Sequence, residues 1–165
     1  MNKNVLKQLS YGMYAISTLD NGRDVGCIVN SVMQVTYDTV VVSLNHNNYT
    51  NECLNHSKKF AVSILGEDID NDIIASLGFQ SGRDSDKFKD IECLKIDELC
   101  VIKSAIGYLI CDVVDKFETD THTVFVATIV SGEILRSDVL PMTYAYYQKE
   151  RRGKSPQNAP TFIEN

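Results

Sequence analysis

The sequence predicts a mainly β chain, closed into an antiparallel barrel, with only a few short helices. Three observations predict this. β-branched and aromatic residues recur in runs of strand length, as in Thr39–Leu44 (TVVVSL) and Phe60–Leu65. The three prolines, Pro141, Pro156 and Pro160, lie near the C-terminus, so the first 140 residues lack the residue that most damages a sheet. Strand patterns also outnumber helical ones, and closing them into a barrel removes edges that would otherwise aggregate.

The elements follow in order. Leu9–Leu19 reads as the first strand, and Asp20-Asn21-Gly22 is a hairpin turn signal. Asp24–Thr36 is the second strand, long enough to bend, and Thr39–Leu44 is the third. Thr50–Ser57 is a short helix with Thr50 or Asn48 as its N-cap. Phe60–Leu65 is a buried strand. Asp68–Leu77 carries apolar residues at 69, 73, 74 and 77, which is helical spacing. A polar loop with two glycines, Gly78 to Phe88, comes next. Leu99–Ile102 is a short strand. Ser104–Phe117 and Thr121–Leu135 form a long antiparallel pair, joined by Glu118-Thr119-Asp120. Beyond Leu140 the chain turns Tyr- and charge-rich and ends in an extended tail.

The chain has 165 residues, enough for one domain over 1–165 with a real core, with 141–165 as its tail. Its net charge of -6 argues against a general nucleic-acid binder, which needs a basic face, but leaves room for a local basic pocket. No run is long enough to span a bilayer, and MNKNVLKQLS lacks the apolar core of a signal peptide. A cytoplasmic location is the expectation. The five cysteines are odd in number and form no CxxC pair. They read as small buried hydrophobes in a reducing compartment, with no disulfide framework and no metal site.

Two places carry small amides and hydroxyls where a barrel core would take Val or Ile. The first is Asn30-Ser31, set within GCIVNSVMQV. Adjacent small polar residues there let a backbone approach a planar heterocycle and bond its polar edge. A β-bulge or an exposed strand face is an equally good reading of the pair alone. The second is Asn45-His46-Asn47-Asn48-Tyr49-Thr50. It precedes a helix start, where unpaired amides and the helix dipole favour an anion such as a phosphate. Taken alone, that motif reads more often as capping and turn chemistry. Arg83 and Lys87, in the Gly-containing loop, would supply counter-charges to the same anion. His122 follows the turn between the long strands and either contacts a nicotinamide or caps the turn. No nucleophile elbow, phosphate-binding P-loop or Rossmann glycine pattern is present, so any redox chemistry belongs to a cofactor.

Together these segments resemble the flavin reductase-like, FMN-binding split-barrel family, and within it the branch that forms the flavin domain of high-molecular-weight rubredoxins. The resembling pieces are Gly12–Thr18, Asn30–Thr36, Leu44–Thr50, Ser81–Phe88, Thr121-His122-Thr123, Pro141–Tyr147 and Lys154–Thr161. They stand in the family's order over nearly the whole chain. The resemblance implies a six-stranded antiparallel Greek-key split barrel that forms a homodimer, with FMN near the subunit interface. It places Asn30, Ser31, Val32 and Met33 against the isoalloxazine ring. Asn45, His46, Asn47, Asn48 and Thr50 would hold the ribityl chain and phosphate, and Arg83 and Lys87 would come from a loop closing over the cofactor. His122 would contact the nicotinamide, and the tail would wrap the partner subunit or the flavin. His46 stands where relatives often carry Lys, a stronger phosphate partner near neutral pH. The reductase signature Gly-Asp-His appears here as Asp120-Thr121-His122.

The implied function is an FMN-dependent oxidoreductase with NAD(P)H as co-substrate. Electrons would pass through bound FMN to a rubredoxin-like protein on a separate chain, to a flavin or to another small acceptor. No nucleic acid, membrane or metal is implied. Two alternatives stand beside it: a flavin-binding electron carrier that does not oxidise NAD(P)H, and a cofactor-free barrel that acts as an interaction module.

Overall fold

A computed structural model describes residues 1–162. Among them, nine strands run in chain order as β1 (Tyr14–Asp20), β2 (Arg23–Val29), β3 (Val32–Gln34), β4 (Thr39–Asn45), β5 (Lys59–Ile64), β6 (Cys93–Ile96), β7 (Leu99–Ile102), β8 (Gly107–Glu118) and β9 (His122–Ile134). The helices are α1 (Tyr49–Ser57), α2 (Asn71–Phe79) and α3 (Tyr144–Lys149), and a short 3-10 helix spans Lys3–Gln8. Seven strands form one antiparallel sheet in the order β2-β1-β5-β8-β9-β4-β3, and β6 and β7 form a separate hairpin.

The two edge strands of the large sheet, β2 and β3, are consecutive in the chain, with only Asn30 and Ser31 between them. A flat seven-stranded sheet would hold its edges about 29 Å apart at the usual strand spacing. A two-residue link reaches only about 10 Å. The sheet must therefore curl until its edges meet, which makes the split barrel. Ser31 fixes the meeting point. Its carbonyl accepts from the Ser43 amide at 3.2 Å and its hydroxyl donates to the Ser43 carbonyl at 2.9 Å.

The expected second strand is thus two strands, broken at the polar pair, and this break is why the main sheet has seven strands instead of six. The first strand begins later than expected, at Tyr14, because Leu9 is exposed and Gly12 bridges to Thr143 near the C-terminus. The β1–β2 turn is the expected one, with Asn21 and Gly22 both at positive φ. Besides the 3-10 helix, two elements lay outside the sequence reading. β6 pairs with β7 through a turn at Asp97-Glu98, both at positive φ without a glycine to signal it. Helix α3 sits in the expected tail, started by Thr143, whose hydroxyl accepts from the Tyr146 amide at 3.1 Å.

The cysteines need one correction. Cys27, Cys53 and Cys111 are free and buried, as expected. Cys93 and Cys100 form a disulfide, with Cα atoms 5.2 Å apart. The hairpin register causes this: Cys93 lies opposite Ile102, and Cys100 opposite Lys95, so the two thiols are diagonal neighbours on one face.

Three clusters of buried side chains hold the fold. Ile16, Val42, Leu44, Leu54, Phe60, Val62 and Phe125 fill the barrel. Met13, Leu65, Ile69, Ile74, Leu77, Phe88, Met142, Tyr144 and Tyr147 pack α2 and α3 against its outside. Ala61, Leu99, Val101, Tyr108 and Ile110 seat the β6–β7 hairpin. β1 and β5 are covered on both faces and each carries a run of four consecutive buried residues, whereas β4 alternates buried and half-buried residues.

Phe125 is 1% exposed at the centre of the barrel cluster. Phe125→Ala is expected to cost about 3–5 kcal/mol, by lost burial and the cavity left behind. Chemical denaturation measures it, and a cost under about 1 kcal/mol would contradict the inward register of β9.

Candidate functional site

The place where the sheet edges meet is also the wall of a cavity of about 320 Å³. The end of β2 contributes Ile28, Val29 and Asn30. The end of β4 and the knot after it contribute Ser43, Leu44, Asn45, Asn47, Asn48 and Tyr49. Helix α2 and its following loop add Ile74, Leu77 and residues 78 to 82, and Lys87 lies on the same wall. Tyr144 and Tyr147 of α3 close one side, and Lys154 with residues 156 to 160 of the tail close another. The volume is within the range of small-molecule sites.

The local chemistry of each wall follows from its sequence. Asn45 folds the knot by accepting from the Asn47 amide at 2.9 Å. Asn48 caps α1 by accepting from the Thr50 amide at 3.1 Å. Asn51 then ties α1 to the barrel, its amide donating to the Leu44 carbonyl and the Thr123 hydroxyl at 2.9 and 3.0 Å. The first turn of α1 is therefore held rigidly beside the cavity, with its unpaired amides at that end.

Among the described residues, one polar atom in the walls lacks a hydrogen-bond partner and one buried charge lacks a counter-charge. Asn30 is 5% exposed. Its amide nitrogen donates to the Thr161 hydroxyl at 2.9 Å, but its carbonyl oxygen is buried with no donor among the described residues. Lys87 is also 5% exposed. Its ammonium donates to the Gly26 and Leu77 carbonyls, both at 2.8 Å, and among the described residues no carboxylate lies within ion-pair distance of it. Burial pushes the Lys87 pKa down, opposed in part by the neighbouring Cys27 thiol. Burial likewise pushes the Cys27 thiol up, while Lys87 and hydrogen bonds to Thr50 and Asn48 pull it back. Such unmatched groups are scarce in folded proteins and mark places where a ligand completes the bonding.

Of the residues singled out from the sequence, the structure brings Asn30, Asn45, Asn47, Asn48 and Lys87 together around this cavity. The others stand apart from its walls. Ser31 is engaged with β4. Val32 and Met33 lie on β3, and Met33 is 61% exposed. Thr50 is buried behind the knot. His46 turns outward to the Glu118 carboxylate at 3.0 Å. Arg83 pairs with Glu52 at 2.5 Å and covers the Tyr49 ring at 4.5 Å. His122 lies beside Asn158 of the tail, its Nδ1 hydrogen-bonded to the Thr121 hydroxyl at 2.8 Å. Lining residues the sequence reading did not single out include Ser43, Gln80, Tyr144 and Tyr147. The Tyr-rich stretch after Leu140 was the one visible signal of the last two.

Burial holds the His122 pKa below the ordinary imidazole value, and His46 adds to this, while the Asn158 backbone opposes it. Its Nε2 is buried without a partner among the described residues, so a proton there is unwelcome. The unfolded chain then binds more protons than the folded one between the lowered value and about 6.5, and stability must fall as pH drops through that window. His122→Gln is expected to flatten the loss as pH falls below about 6.5, measured as the difference in melting temperature from wild type. An unchanged slope would remove His122 as its source.

Residues 6–155 match the flavin reductase like domain family. The chain is 34% identical over 167 residues to the high molecular weight rubredoxin of Moorella thermoacetica, covering 98% of this chain and 72% of that protein. It is 32% identical over 169 residues to the ferric-chelate reductase (NAD(P)H) of Archaeoglobus fulgidus, covering 100% and 99%. The solved structure of the flavin reductase PheA2 in its native state superposes with a TM-score of 0.74 at 25% identity, covering 86% of this chain and 89% of that one. A match over this length, on a curled antiparallel sheet of the same architecture, leaves one conclusion: the chain belongs to the flavin reductase like domain family.

Proposed function

We propose that this chain is an oxidoreductase that binds FMN in the 320 Å³ cavity and passes electrons from NAD(P)H to a rubredoxin-like protein or another small acceptor. The observation that carries the reading is the pair of unmatched groups in one cavity: the buried carbonyl oxygen of Asn30 and the buried ammonium of Lys87. A flavin answers both needs. Its ring edge offers N–H donors, and its phosphate offers the anion that a buried cation lacks. Met13, Ile28, Val29 and Leu77 supply apolar walls for the ring, and Asn45, Asn47 and Asn48 supply amides for the ribityl and phosphate groups. The tail closes the cavity on one side, which favours the mononucleotide over the larger dinucleotide.

Bound FMN would supply the exchange between two-electron donors and one-electron acceptors, which none of the side chains here performs. The protein's part is positional and electrostatic. Asn30 holds the orientation of the heterocycle, Asn48 and the α1 terminus fix the anionic end, and Lys87 neutralises it. Tyr144 and Tyr147 screen the cavity from water. A rubredoxin-like acceptor is favoured because the Moorella relative is named as a rubredoxin and is longer than the matched segment. NAD(P)H is favoured because the Archaeoglobus relative is named for it.

A homodimer completes the reading. The half of the sheet running β8-β9-β4-β3 and its loops expose Met33, Val35, Tyr37, Val114, Phe117, Val130 and Ile134. Exposed apolar side chains in this number are what a second copy would cover. Cytoplasmic residence fits the use of a reduced pyridine nucleotide. Among the described residues no helix is long and apolar enough to cross a membrane.

A second reading is favoured by the position of His122 outside the cavity walls. Here the chain carries electrons on its flavin but takes them from another protein. Anaerobic titration separates the two: NADH or NADPH is expected to bleach the flavin band, and bleaching by dithionite alone would select the carrier.

The phosphate assignment has its own test. Lys87→Met is expected to weaken FMN binding at least tenfold, the scale of a lost hydrogen bond between charged groups, and to leave riboflavin binding within about threefold. Equal losses for both ligands, read by fluorescence quenching, would detach Lys87 from the phosphate.

A further inference from the structure

The last described stretch of the chain does more than run past the cavity. After α3 the backbone turns at Arg152, at positive φ, and crosses the Tyr147 ring at Gly153. The Gly153 amide donates to the Tyr147 carbonyl at 3.0 Å. The Ser155 hydroxyl then bonds the Tyr144 phenol. Residues 156 to 160 form one cavity wall, and Pro156 and Pro160 restrict their conformations. At the far end the Thr161 hydroxyl receives the Asn30 amide at 2.9 Å. A segment tied at both ends and spanning the opening between them is a strap.

Each tie has a residue that permits it. A Cβ added at Gly153 would overlap the Tyr147 ring atoms, so only glycine lets the chain cross there. Thr161 is the described partner of Asn30, and Asn30 stands at the join of β2 and β3, where the sheet edges meet. The strap is thus anchored to the α3 tyrosines at one end and to the barrel seam at the other. Its interior contacts are with the cavity.

We propose that residues 153–161 are a retention strap. They close over the bound flavin and slow its release, so that the flavin stays with the chain through repeated turnovers and is not given up as a reduced product. This rests on the reading of the cavity as a flavin site and deepens it: the electron acceptor is a molecule that comes to the protein, not a flavin that leaves it. The strap does not need to touch the reacting atoms. It acts on the rate constant for dissociation, where most differences in affinity between related complexes arise.

The test measures flavin release from full-length protein. Protein loaded with FMN is diluted into buffer and the return of free-flavin fluorescence is followed for wild type, Thr161→Val and Gly153→Val. Thr161→Val removes one neutral hydrogen bond and is expected to speed release about three- to tenfold. Gly153→Val lifts the strap at its crossing and is expected to speed release more than tenfold, with FMN uptake no slower than wild type. Release at the wild-type rate by Thr161→Val and by any Gly153→Val that folds would overturn the strap while leaving the flavin site standing. Faster uptake with unchanged release would also overturn it, since that is the signature of a gate. Should Gly153→Val not fold, Thr161→Val decides alone, because it leaves the backbone path intact. Wild-type protein that takes up no FMN overturns the strap and the flavin reading together.

Discussion

The structure depends on the exchange between Ser31 and Ser43. Two hydrogen bonds, one from each backbone and side-chain donor, stitch the outer edge of the sheet where β2 gives way to β3. Neutral hydrogen bonds contribute only about 0.5–1.5 kcal/mol each in net terms. Their importance here is positional. They make the chain leave one ladder and join another within two residues, so the sheet closes on itself. Closure puts Asn30 of the seam beside Asn45–Asn48 of the knot, residues that a flat sheet would hold on opposite sides. The barrel core and the cavity are consequences of the same local event.

The cavity itself is built from dissatisfaction. A folded chain leaves few buried polar atoms unpaired, because each costs about 1–3 kcal/mol. Here, among the described residues, an amide oxygen has no donor and a hydrogen-bonded ammonium has no counter-charge, both in one small space. Packing does not force this. Asn30 spends its nitrogen on Thr161 and leaves its oxygen open, while Lys87 is held in place by two carbonyls that orient its charge without neutralising it. The arrangement is costly for the empty protein and favourable for a ligand with donors at one edge and an anion elsewhere.

Much of the fold was legible. Strand runs, the Asn21-Gly22 turn and the long β8–β9 pair were all visible in local pattern, and the resemblance supplied the barrel. Part of the cavity was legible too: Asn30, Asn45, Asn47, Asn48 and Lys87 converge there. The reasons for the gaps are physical. The Asp97-Glu98 turn hides a hairpin because its residues adopt positive φ without the usual glycine. The Cys93–Cys100 bond depends on that hairpin's register, which spacing alone does not reveal. The side-chain directions of Met33, His46 and Arg83 are set by competing partners, and no local pattern in the sequence announces Glu118 as the partner of His46 or Glu52 as that of Arg83.

The contrast between the two cations of one loop shows why direction matters more than presence. Arg83 and Lys87 are four residues apart, and a sequence motif weighs them alike. Arg83 is more than half exposed and already paired. At the surface such a pair contributes little, because water and salt weaken its attraction and ordering two long side chains costs entropy. Lys87 is buried, has no carboxylate partner among the described residues, and is shielded from screening. An anion that meets it gains an interaction undiluted by water and relieves a charge that the empty fold had to tolerate. The proposed discrimination between a phosphorylated and an unphosphorylated ligand therefore rests on the residue that packing hides, and the visible arginine lies instead over the Tyr49 ring at the rim.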